Sequence, residues 1–83
     1  MAKKVIETPS PNFDENVGLV ELGQEVRHIR TKAGLTIGKL SSMLSISRST
    51  LVNIEKGNGK VSTANLFRVL REVGVFLLIE KND

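Results

Sequence analysis

Arg48, Ser49 and Asn53 open and centre a run, Ser47 to Gly57, that mixes hydrogen-bonding residues with aliphatic ones. Wound as a helix at about 100° per residue, Leu51 and Ile54 fall on one side. Arg48, Ser49, Val52 and Asn53 span the other. A guanidinium matches guanine O6 and N7 bidentately, and a carboxamide does the same for adenine N6 and N7. The row therefore carries groups that can read base-pair edges from a major groove. Ser49 is short enough for a base or a phosphate, Val52 suits a thymine methyl or the groove wall, and Thr50 turns toward backbone or a neighbouring helix.

Phosphate contacts are expected at the margins of that face. Lys56, Asn58 and Lys60 follow it and Lys39 precedes it, while the amides near Thr36 and Ser47 open two helices and can bind an anion. Taken singly, each lysine reads equally well as a solvated surface charge; their common location favours nucleic acid. From Arg27 to Lys60 seven cations stand against one anion, a net +6, whereas the remainder of the 83 residues carries −3. A basic block between acidic ends is the electrostatic footprint of a nucleic-acid face. The one acid within the block is Glu55. Facing phosphate it would repel, so it is expected to turn inward and pair with Arg30, a structural ion pair that orients the reading helix.

Four helices are predicted to position these groups. The first runs from near Leu19 to Lys32, with Leu19, Leu22, Val26, Ile29 and Ala33 as its apolar face. Gly34 stops it. Thr36 caps a second, Ile37 to about Leu44, whose buried stripe is Leu40 and Leu44 with Ile37 or Met43 beside them. Ser45 and Ile46 form a tight turn. Ser47 caps the third, Arg48 to about Lys56, and Gly57-Asn58-Gly59 breaks the chain. Ser62 caps a fourth, Thr63 to Val73, with Leu66, Phe67, Leu70 and Val73 facing inward, ended by Gly74. Two short helices about a tight turn are the layout of a helix-turn-helix, whose ligand is double-stranded DNA. Gly23 costs its helix about 1 kcal/mol against alanine unless it admits a close neighbour.

Beyond these helices, residues 1–16 read as a flexible tail, because Pro9 and Pro11 forbid a helix there; a short strand around Val5 and Ile6 is the alternative. Residues 17–74 form the domain and 75–83 a C-terminal strand and tail. Val75-Phe76-Leu77-Leu78-Ile79 is apolar on both faces and has no second strand to pair with in this chain. Pairing with the same segment of another copy across a two-fold axis resolves this, making Val75, Phe76, Leu77, Leu78 and Ile79 the expected dimer interface. The other reading is that the segment extends the core beneath the fourth helix.

Several functions are excluded. There is no cysteine and a single histidine, His28, which leaves no thiolate nucleophile, no disulfide and no histidine-cluster metal site. No glycine loop follows a strand to cradle phosphate. The chain is expected to be a non-enzyme without cofactor or metal. It shows no secretory signal and no membrane-spanning run, so a cytoplasmic, nucleoid-associated location is expected.

The quoted residues carry a resemblance. Gly34-Leu35-Thr36, Ser47-Arg48-Ser49-Thr50 and Ile54-Glu55-Lys56-Gly57 stand in the order and spacing of the Cro/C1-type (XRE) helix-turn-helix family. The likeness covers about residues 19–74. It implies an all-α, lambda repressor-like domain in which the positions of Arg48, Ser49 and Asn53 read bases. Those of Ser47, Lys56 and Asn58 touch phosphate, and those of Arg30 and Glu55 form a buried ion pair. Ile37 replaces a glutamine usual in that family, and Ser45 replaces the turn glycine. The C-terminal pattern, Phe67 to Gly74 running into Val75 to Ile79, is similar to HipB-type antitoxins. That likeness implies a homodimeric repressor of a palindromic operator and a HipA-type serine/threonine kinase toxin as partner. A stand-alone regulator without a toxin is the alternative, and a protein-binding adaptor a more distant one.

Overall fold

The computed structural model describes residues 5–11 and 17–76. Within them the chain forms α1 (Leu19–Lys32), α2 (Ile37–Leu44), α3 (Arg48–Lys56) and α4 (Thr63–Val73). The boundaries of α2, α3 and α4 and the end of α1 fall where the caps and breakers predict, and α1 starts where its apolar spacing begins.

The helix ends show why. Thr36 Oγ1, Ser47 Oγ and Ser62 Oγ accept from the backbone N–H groups of Lys39, Thr50 and Asn65 at 3.1, 3.0 and 3.1 Å. Each satisfies an otherwise orphaned donor of a first turn. α1 opens differently: Glu21 Oε1 reaches back to accept from the Gly18 N–H at 2.7 Å. At the C-termini all four helices close the same way. The N–H groups of Leu35, Ile46, Asn58 and Val75 donate back to the carbonyls of Arg30, Ser41, Asn53 and Leu70. Such a closure needs one left-handed residue, supplied by Gly34, Ser45, Gly57 and Gly74. Ser45, at φ 56°, is the only non-glycine with positive φ among the described residues.

The core consists of Leu22 and Val26 from α1, Leu40 and Leu44 from α2, Leu51 and Ile54 from α3, and Val69 and Leu70 from α4. Burying each such side chain stabilises the fold by about 1.5–3 kcal/mol. α1 crosses α3 at very short range. A Cβ on Gly23 would stand 2.1 Å from the Ile54 carbonyl oxygen, and one on Gly57 would stand 2.4 Å from the α carbon of Val20. Gly23 thus serves the close approach that the sequence suggests.

Several expected details differ. On α4, Phe67 is 52% exposed and Val69 takes its place in the core, because the face of α4 toward α1 runs through Val69 and Leu70. Beside Leu40 and Leu44 it is Ile37 that packs on the core, while Met43 is exposed. On α1, Leu19 and Ala33 are exposed at the two ends of the expected stripe, and Gly23 and Arg30 are buried between them.

No strand occurs among the described residues. The Val75 N–H closes α4 on the Leu70 carbonyl at 2.8 Å, and the Val75 side chain packs against the core. The first residue of the expected C-terminal β-strand is therefore committed to the helix stop. Phe76 is 76% exposed, and Leu77, Leu78 and Ile79 lie outside the described residues.

Residues 5–11, expected within a free tail, form no strand and run along α1 on the side away from the core. The Thr8 N–H donates to Thr31 Oγ1 at 2.7 Å, and the Thr8 carbonyl lies 2.6 Å from His28 Nδ1. Gln24 Nε2 donates to the Pro9 carbonyl, and Ser10 Oγ donates to the Glu25 carboxylate. These contacts bury Thr31, whose hydroxyl donates in turn to the Arg27 carbonyl at 2.9 Å.

Candidate nucleic-acid interface

Arg48 and Ser49 are the first two residues of α3, and both are exposed. Their position follows from the turn: Ser45 reverses the chain and Ser47 starts a new helix. The Ser47 hydroxyl accepts from the Thr50 N–H and lies 2.8 Å from Thr50 Oγ1. Thr50 therefore faces its own cap. The Arg48 guanidinium lies over the first turn of α2: a Cβ on Gly38 would come 2.7 Å from Nη2 and 3.0 Å from Cζ.

Asn53 is half-buried and tied to the loop after α3. Asn58 Nδ2 donates to Asn53 Oδ1 at 3.0 Å, and Asn58 Oδ1 accepts from the Lys60 N–H at 3.0 Å. Asn53 keeps its amide N–H groups and one lone pair for a base edge. Asn58 uses its carboxamide to brace the reading side chain and the turn. Thr36, Lys39, Lys56 and Lys60 are exposed.

The ion pair behind this face is two-pronged. Arg30 Nε donates to Glu55 Oε2 at 2.8 Å and Nη2 to Oε1 at 3.0 Å, while Nη1 donates to the Leu35 carbonyl at 2.8 Å. The two side chains are 9% and 7% exposed. A parallel fork of this kind fixes orientation as well as distance. It joins α1, the approach to α2 and α3 at one point. The pair forms the floor of a groove of about 210 Å³ lined also by Arg27, Ile37, Val52 and Lys56.

Three contributors have weak sequence signals. Arg27 is exposed and shares that groove with Val52 and Lys56; only its place one turn before Arg30 hints at this. Gly38 underlies Arg48 with no motif to mark it. Arg68 Nη2 donates to the Leu44 carbonyl and so caps the C-terminus of α2 from α4. Among the described residues no cluster of histidine, aspartate or glutamate is placed to hold a metal, and no helix is long and apolar enough to cross a membrane.

A family profile described as a helix-turn-helix domain matches residues 23–76. Solved structures share the fold, two of them HipB complexes. One, a HipB–O4 20mer complex, is 17% identical over 86% of this chain and 100% of its own, with a TM-score of 0.66. The other, a HipA–HipB–O2–O3 complex, is also 17% identical over 86% of this chain and 100% of its own, with a TM-score of 0.67. No curated protein sequence matches the chain.

Proposed function

Because the chain belongs to the XRE-type helix-turn-helix family of DNA-binding regulators, we propose that it is a homodimeric, sequence-specific repressor acting as the antitoxin of a HipBA-like pair. Arg48, Ser49 and Asn53 read bases, and Thr36, Lys39, Ser47, Lys56, Asn58 and Lys60 meet phosphates. The observation that carries the reading is the exposed start of α3, locked from behind by the buried Arg30–Glu55 fork. A cationic helix edge held by a rigid support is what groove reading requires.

Two subunits would place their reading helices roughly 34 Å apart in successive major grooves. An apolar groove of about 540 Å³ between α4 and the segment after it supports the dimer. It is lined by Ala64, Phe67, Leu70, Val75 and Phe76, with Arg68 and Arg71 at its edge. The fold shared with HipB, solved together with HipA, supports a kinase toxin as partner.

The test begins with a duplex selected by the protein from a randomised library. In a mobility shift, Arg48→Ala weakens binding to that duplex by about 1–3 kcal/mol and leaves random duplex little changed. Equal loss on both sequences would make Arg48 a phosphate ligand, and failure to enrich any duplex would overturn the DNA-reading function. Co-purification of a kinase with the native protein supports the antitoxin role; a duplex-binding chain that retains no kinase is the stand-alone regulator.

A further inference from the structure

We infer that Gly38 is a positioning residue for Arg48: its bare α carbon forms the shelf on which the guanidinium rests. The inference builds on the reading of Arg48 as a base contact. Nothing in the backbone calls for glycine here. Gly38 is the second residue of α2 and lies outside the left-handed region that Gly34, Gly57 and Gly74 occupy. Glycine also weakens a helix relative to alanine. What the position does require is room. The guanidinium fills the space a Cβ would take, with Nη2, Cζ and Nε at 2.7, 3.0 and 3.1 Å from it.

All three atoms belong to the guanidinium, so the charged end of the side chain packs against the first turn of α2. Among the described residues no carboxylate pairs with Arg48; the arginine–carboxylate pair there is Arg30 with Glu55. The shelf is thus a contact that restrains the end of the side chain. Arginine carries much rotamer freedom, and a side chain ordered before docking loses less on binding. Bidentate reading of a base tolerates displacement of only roughly 0.5 Å. Ser41 Oγ donates to the Gly38 carbonyl at 3.1 Å, which anchors the shelf itself. A methyl at position 38 displaces the far end of a flexible side chain, so the fold accommodates it while the reading geometry does not.

The experiment is a double-mutant cycle of wild type, Gly38→Ala, Arg48→Ala and the pair. Each protein is measured against the duplex that wild type selects from a randomised library, against random duplex, and by thermal unfolding. The expected result is a Gly38→Ala protein that melts at or above wild type. Its specific-over-random binding ratio falls about tenfold, within the range that one bidentate base pairing supplies. In selection it relaxes the same base position that Arg48→Ala relaxes, and in the Arg48→Ala background it changes nothing. An unchanged ratio overturns the inference while leaving base reading intact. An equal loss in the Arg48→Ala background also overturns it, and a simple folding defect would show itself that way. A wild type that selects no sequence removes the base-reading role, and the shelf with it.

Discussion

Arg30 donates from all three of its nitrogens, two to Glu55 and one to the Leu35 carbonyl. Removing either partner leaves a buried charge without its counter-ion. Arg30→Ala or Glu55→Ala is expected to destabilise the domain by about 3–5 kcal/mol, read as a large fall in melting temperature. The pair was legible in the sequence because Glu55 is the one acid in a basic block. The Asn53–Asn58 bond was not, since only the folded loop brings those two side chains together. Ser45 offers a test of opposite sign. A left-handed serine costs about 1–2 kcal/mol, while glycine adds about 0.5–1 kcal/mol of unfolded-state entropy. Ser45→Gly should therefore raise stability by roughly 0.5–1 kcal/mol in denaturant titration without moving the reading face.

At the scale of elements, caps and stops were readable because each is a local hydrogen bond encoded within a few residues. Which apolar face a helix buries was less so. α4 offers Leu66, Phe67, Val69, Leu70 and Val73, and more than one stripe can be drawn through them. The choice falls to the partner helix, and it excludes Phe67. The expected strand is not supported among the described residues: at its first position the Val75 N–H is used in the stop of α4. The crossing of α1 and α3 can be tested directly. Gly23→Ala places a methyl on the Ile54 carbonyl and should destabilise the protein by about 3 kcal/mol, far beyond the small helix-propensity gain. A melting temperature equal to wild type would mean the helices separate without cost.

Over the whole molecule, Lys39, Arg48, Lys56 and Lys60 of the basic block are all exposed, and the proposed function has them face the duplex together. Duplex binding should weaken steeply with salt, and Lys56→Ala should shrink the log–log slope by about one unit, the share of a single neutralised phosphate. A slope unaltered by that change would place Lys56 off the DNA. The contacts of the N-terminal segment along α1 carry no signal in the sequence. Two prolines exclude a helix, yet they do not prevent Thr8 and Pro9 from hydrogen-bonding along α1. At Gly23 and again at Gly57, main chain meets main chain with no side chain between. The separation of α1 and α3 at these two points is thus set by backbone and not by side-chain bulk. Main-chain contact at two points spaced along α1 and α3 works as a hinge stop, and one methyl at either glycine would re-aim the reading helix.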